Sequence, residues 1–112
     1  MPFVLSNKAT HRFKVVVKRP NDATGTWDTF EFLGEFKRLS QPEIDALFGG
    51  KLPGDSEVIE RYFVGWDGVK QPDGAALEVN EGNQAALLAE PGVRASIVKA
   101  FLESTVFGPA KN

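Results

Sequence analysis

The chain has 112 residues, 42% of them hydrophobic and 25% charged, with a formal net charge of −2 and no cysteine. This composition fits one globular domain over residues 1–112 and excludes disulfides, thiolate catalysis and cysteine-ligated zinc. The longest apolar run, Ala85 to Ala89, falls far short of the ~18 residues that a bilayer span requires. Met1 to Ser6 has neither the basic nor the apolar region of a signal peptide, so a cytoplasmic protein without a membrane partner is expected.

Met1 to Thr10 shows no periodicity and reads as a loose lead-in (1–10). From Arg12 to Lys18 the pattern alternates: Phe13, Val15 and Val17 share one face, and Arg12, Lys14 and Lys18 share the other. Alternation with β-branched residues predicts a half-buried strand. Pro20 to Gly25 is a loop by its turn residues. Trp27 to Lys37 alternates again, with Phe30, Phe32 and Phe36 on one face and Thr29, Glu31, Glu35 and Lys37 opposite. Gly34 marks either a bulge or a close approach by a neighbouring element. The two segments, near 12–18 and 27–38, predict an antiparallel β-hairpin.

Patterning then changes from period two to period 3.6. Ser40-Gln41-Pro42-Glu43 has the form of a capping box, with Leu39 and Ile44 placed as a hydrophobic staple and Pro42 in the first turn. A helix near 41–48 follows and stops at Gly49-Gly50. Asp55 or Ser56 opens a second, expected over 56–66 because Val58, Ile59, Tyr62, Phe63 and Trp66 fall at helical spacing. Gln71 to Gly74 is a turn and Ala76 to Val79 a short extended piece. Asn80 caps a helix near 81–89, and Pro91-Gly92 opens a last one near 92–104. Residues 107–112 read as a loose tail. The fold class predicted is therefore α+β, an N-terminal antiparallel β-hairpin followed by about four short α-helices.

No constellation of residues carries chemistry. The one histidine, His11, has neither a nucleophile nor an orienting partner in the sequence, and a surface histidine at a strand start is the plainer account. No metal site or other cofactor is expected. Gly49-Gly50-Lys51 fails as a phosphate loop, because Leu52 follows the lysine and Asp45 stands where the first glycine is needed. The pairs Glu57/Glu60 and Glu31/Glu35 sit opposite apolar faces, where solvated charges belong. A non-catalytic protein is expected.

Charge is unevenly spread. Residues 1–20 hold Lys8, Arg12, Lys14, Lys18 and Arg19 and no acid, a charge of +5 against −7 over the remainder. A basic arm of this kind could meet an acidic partner or nucleic acid. Protection of an edge strand is the simpler account, and the acidic remainder would repel phosphate. Among the aromatics, Phe30, Phe32, Phe36, Phe63 and Trp66 are read as core. Trp27 and Leu33 fall instead on the charged face of the second strand. They are the candidate protein-binding residues, unless a terminal segment or the final helix covers them.

From Trp66 to Leu102 the chain carries an ordered series of turn and cap residues: Trp66, Gly68 and Val69, then Asp73-Gly74, then Asn80, Asn83, Leu87 and Leu88, then Pro91-Gly92-Val93. This series resembles the C-terminal half of the small tail assembly chaperones of long-tailed bacteriophages and prophages. The resemblance implies a chaperone in the host cytoplasm that binds the phage tape-measure protein, and further the tail-tube protein, during tail assembly and is absent from the finished particle. Homo-oligomerisation is compatible with it, and no small-molecule substrate is implied. An aromatic N-terminal hairpin departs from the best-known members. The alternatives are a structural tail or head-tail connector protein of the virion, and a regulatory module binding nucleic acid through the basic arm.

Overall fold

The computed structural model describes residues 3, 5, 8–50 and 54–107. It is α+β: a three-stranded antiparallel sheet with helices packed on one face. The chain runs β1 (Thr10–Pro20), β2 (Trp27–Lys37), α1 (Gln41–Phe48), α2 (Asp55–Tyr62), β3 (Phe63–Asp67), α3 (Glu81–Leu88) and α4 (Val93–Leu102), closing in one π-helical turn, Glu103–Phe107. The strands lie in the order β1-β2-β3. The expected hairpin is present. Of the expected lead-in and tail, most residues lie outside those described, although Thr10 belongs to β1 and Phe107 to the closing turn.

Pairing of β1 with β2 runs without interruption from Thr10↔Lys37 to Pro20↔Trp27. Its two ends fix which backbone groups face where. The Arg38 N–H donates to Ala9 O at 2.9 Å and the Asn21 N–H to Thr26 O at 2.7 Å. Hydrogen-bonded positions alternate along an antiparallel ladder. The odd-numbered residues from Ala9 to Asn21 therefore turn their backbone toward β2, and Thr10, Arg12, Lys14, Val16 and Lys18 turn theirs outward. Pro20, which has no N–H to offer a ladder, stands on the outward side as well.

The core lies between the sheet and the helices. Val15 and Val17 of β1, Phe36 of β2, Val58 and Ile59 of α2, Leu87 of α3, and Val93, Ile97, Ala100 and Phe101 of α4 are all buried. Phe36 is its centre, with ring centroids 5.7 Å from Phe63 and 5.8 Å from Phe101. Gly34 makes this possible. A Cβ built there would lie 3.0 Å from both the Phe36 ring and the Val15 Cγ2, so only glycine lets the ring fold back over the strand. Phe30 departs from the expected core. It is 45% exposed near the hairpin tip, where the Arg19 guanidinium lies over its ring at 4.8 Å.

The helix expected over 56–66 is corrected by the structure. It ends at Tyr62, and Phe63–Asp67 is a third strand paired with β2. Phe63 and Trp66 do share a buried face, but a β-bulge puts them there. Gly34 pairs with Trp66, Glu35 with Gly65 and Phe36 with Phe63, so Val64 is the extra residue and is left exposed. One inserted residue converts a spacing of three into a same-face pair, which strict alternation would forbid.

The remaining helix signals are realised as read. The Ser40 hydroxyl accepts from the Glu43 N–H, and the Glu43 carboxylate accepts from the Ser40 N–H at 3.1 Å, completing the capping box. Yet α1 buries none of its residues. Asn80 Oδ1 caps α3 by accepting from the Asn83 N–H at 2.8 Å. Gly92, in the left-handed region at φ 83°, turns the chain into α4. Between β3 and α3, the extended piece at Ala76 pairs with Lys70, across the turn at Asp73-Gly74.

Candidate protein-binding surface

The face of the sheet away from the helices is built by the second half of each strand's alternation. Arg12, Lys14, Val16 and Lys18 of β1 stand beside Glu35, Leu33, Glu31 and Thr29 of β2 in register. Cross-strand charge pairs lace this face together: Arg12 reaches Glu35 at 3.9 Å and Asp67 at 3.5 Å, and Lys14 reaches Glu31 at 3.8 Å. These are exposed pairs, worth little to stability, but they engage Arg12 and Lys14 of the N-terminal segment with the protein's own carboxylates. Arg19 is likewise held, 3.3 Å from Glu90. That arrangement favours edge protection over a nucleic-acid arm.

Trp27 and Leu33 both sit on this outer face, 68% and 39% exposed. No described segment covers them: α4 packs against Val15 and Val17 on the opposite side. The two residues are not neighbours. Six residue steps along the strand separate them, a distance of about 20 Å. Trp27 stands at the hairpin tip opposite Pro20, and Leu33 stands between Lys14 and Asp67 in the middle of the sheet.

The tip that presents Trp27 is built from one asparagine. Asn21 Oδ1 accepts from the Ala23 and Thr24 N–H groups at 2.9 and 3.1 Å, while its amide donates to Asp28 at 3.0 Å. Gly25, at φ 71°, completes the reversal. Two apolar residues of the outer face were not singled out by the sequence. Val16 is 38% exposed, and its position between Lys14 and Lys18 in the alternation was signal enough. Val79 is 51% exposed and lies over Gly65, with its methyl carbons 3.6 and 3.7 Å from where a Cβ would be. Nothing local in the sequence announces that loop-to-strand contact.

His11 is tied down rather than free at the surface. It lies on the inner face, its ring 6.0 Å from Phe36, and its Nε2 is 2.9 Å from Ser104 Oγ in the closing turn. Burial, and then the nearby Arg38 charge, push its pKa below the usual 6.5. No group of three or more His, Cys, Asp or Glu side chains able to hold a metal comes together among the described residues. Among the described residues, no helix is long and apolar enough to cross a membrane.

No protein-family model, no curated protein and no solved structure matches this chain.

Proposed function

We propose that this protein is a tail assembly chaperone of a long-tailed bacteriophage or prophage, one that binds the tape-measure protein without catalysing a reaction. The observation that carries the reading is the uncovered outer face of the hairpin, with Trp27 and Leu33 exposed among paired charges. A tape-measure protein exposes long amphipathic helices until tube subunits surround them, and an apolar stripe left in water drives association. A face with separated apolar anchors in a polar surround suits a client held reversibly. The turn and cap series from Trp66 to Val93 supports the same reading. Its glycines at 68, 74 and 92 all take positive φ, and its Asn80 is the α3 cap, so the residues that carry the resemblance are the ones that shape this half of the fold.

Co-expression with the tape-measure protein encoded beside it is the test. The tape-measure protein should become more soluble and should co-purify with this domain. Failure of both, together with persistence of the domain in purified particles, would replace this reading with that of a structural tail or connector protein.

A further inference from the structure

Among the described residues strand β1 ends the sheet, and its outer edge is not bare. Between that edge and α4 runs a groove of about 440 Å³, lined by Lys14, Val16 and Lys18 of the strand and by Ala95, Ser96 and Lys99 of the helix. The three strand residues are ones whose backbone N–H and C=O point outward, as the ladder ends at Ala9–Arg38 and Asn21–Thr26 require. The groove thus joins strand backbone that no other described strand pairs with to a floor of small side chains, under a rim carrying three lysines. Glu103 meets Lys99 at 3.9 Å and Glu31 meets Lys14 at 3.8 Å, which leaves the rim net positive.

We infer that this groove takes an extended segment of a partner protein, in which acidic residues alternate with small apolar ones, added antiparallel to β1 as a fourth strand. Main-chain bonds to Lys14, Val16 and Lys18 supply binding, and alternate side chains supply selectivity. On the outer face the added residues stand directly opposite Arg12, Lys14 and Lys18, and carboxylates are the complement there. On the inner face they meet Ala95 and Ser96, where only small side chains fit. A second copy of this chain is the wrong occupant. Two β1 strands paired about Val16 would set Lys14 of each copy opposite Lys18 of the other, like charge against like. The lysines that keep the edge from pairing with itself are the ones that select an acidic strand. This binding mode stands apart from the chaperone reading, since it uses the edge and not Trp27 or Leu33.

The probe is a fluorophore-labelled peptide, Glu-Val-Glu-Ala-Glu-Val-Glu with blocked ends, titrated with the full chain and read by anisotropy. Antiparallel pairing with outward β1 positions directs the glutamate N–H groups at the strand and the valine N–H groups away from it. N-methylation of the two inner glutamates should therefore weaken binding by about tenfold or more, whereas N-methylation of the valines should change it little. Exchange of every Glu for Lys, and the double variant Lys14→Glu, Lys18→Glu checked for an intact circular dichroism spectrum, should each weaken binding by at least about tenfold. Equal losses from both methylation patterns, or from neither, would show adsorption by charge alone and overturn strand addition. So would absence of binding at millimolar protein, or sedimentation showing that the edge is occupied by a second copy.

Discussion

The indole N–H of Trp66 donates to the carbonyl of Leu77 at 2.9 Å, fastening the loop after β3 to the strand it leaves. The same ring stacks on Phe63, with centroids 6.0 Å apart, and is 7% exposed. Trp66 thus serves the core through its rings and the loop through its nitrogen. Trp66→Ala should cost about 3–5 kcal/mol by removing a large buried side chain. Trp66→Phe keeps most of the ring but strands the Leu77 carbonyl, and should cost about 1–3 kcal/mol. Urea unfolding of the two variants separates the contributions. An alanine variant that melts with the parent would place Trp66 outside the core.

At Gly34 the expected effect has the opposite origin, too much volume in place of too little. A methyl group there meets Val15 Cγ2 and the Phe36 ring at 3.0 Å, and both of those side chains are buried in the core and must shift to admit it. Gly34→Ala should destabilise by about 1–3 kcal/mol, even though alanine is the better residue for an ordinary strand. Gly34→Ala combined with Val15→Ala should recover part of the loss, since it removes one of the two clashing groups. No recovery in the double variant would trace the cost to the backbone.

The hairpin was legible in the sequence because both of its strands keep one face in solvent, so Arg12, Lys14, Glu31 and Glu35 mark every second position. The third strand was not. Phe63, Val64, Gly65 and Trp66 hold the apolar spacing of a helix, and only the partner strand reveals Val64 as a bulge. Local signals at Ser40 and Asn80 fixed helix starts correctly, because capping depends on side chains within three residues. Capping says nothing about burial, however, and α1 proves peripheral. Of the candidate surface, Trp27 and Leu33 followed from alternation. The free edge over Ala95 and Ser96 did not, because it depends on where α4 lies.

Because α1 buries none of its residues, its cap should matter locally and not globally. The Glu43 pKa is lowered by the backbone and side-chain hydrogen bonds of Ser40. A depressed carboxylate stabilises the folded form above its unfolded pKa of about 4.5, and that contribution is lost as pH falls through the native value. Ser40→Ala, or acidification through that window, should lower the amide protection factors of Gln41–Phe48, measured against the unstructured-chain rate at the same pH, while leaving the core amides protected. Uniform loss of protection across the chain would show α1 coupled to the core.

His11 gives a second pH signature, at a higher window. Its pKa is depressed below 6.5 in the folded protein by burial and by Arg38, so the unfolded chain binds more protons as pH drops below 6.5. Stability from this group is present above that value and declines as pH falls through the native pKa. Unfolding free energy measured from about pH 7 downward should decrease, and His11→Gln should flatten that segment of the curve. An unchanged slope in the variant would assign the dependence to other groups.

Trp27 and Leu33 are the residues on which the chaperone reading is most exposed to test. Both lie on the outer face, so Trp27→Ser and Leu33→Thr should each change stability by no more than about 0.5 kcal/mol. Each should nonetheless reduce co-purification with the tape-measure protein. Their separation of about 20 Å along β2 adds a sharper requirement. Sites that far apart with no shared partner contribute additively, so the double variant should lose binding free energy equal to the sum of the single losses, within about 0.5 kcal/mol. Additive losses fit a client lying along the strand and touching both anchors. Loss on Trp27→Ser alone would confine the contact to the hairpin tip held by Asn21. If neither substitution alters co-purification while Lys14→Glu, Lys18→Glu abolishes it, the client binds at the edge of β1 and the outer-face assignment is wrong.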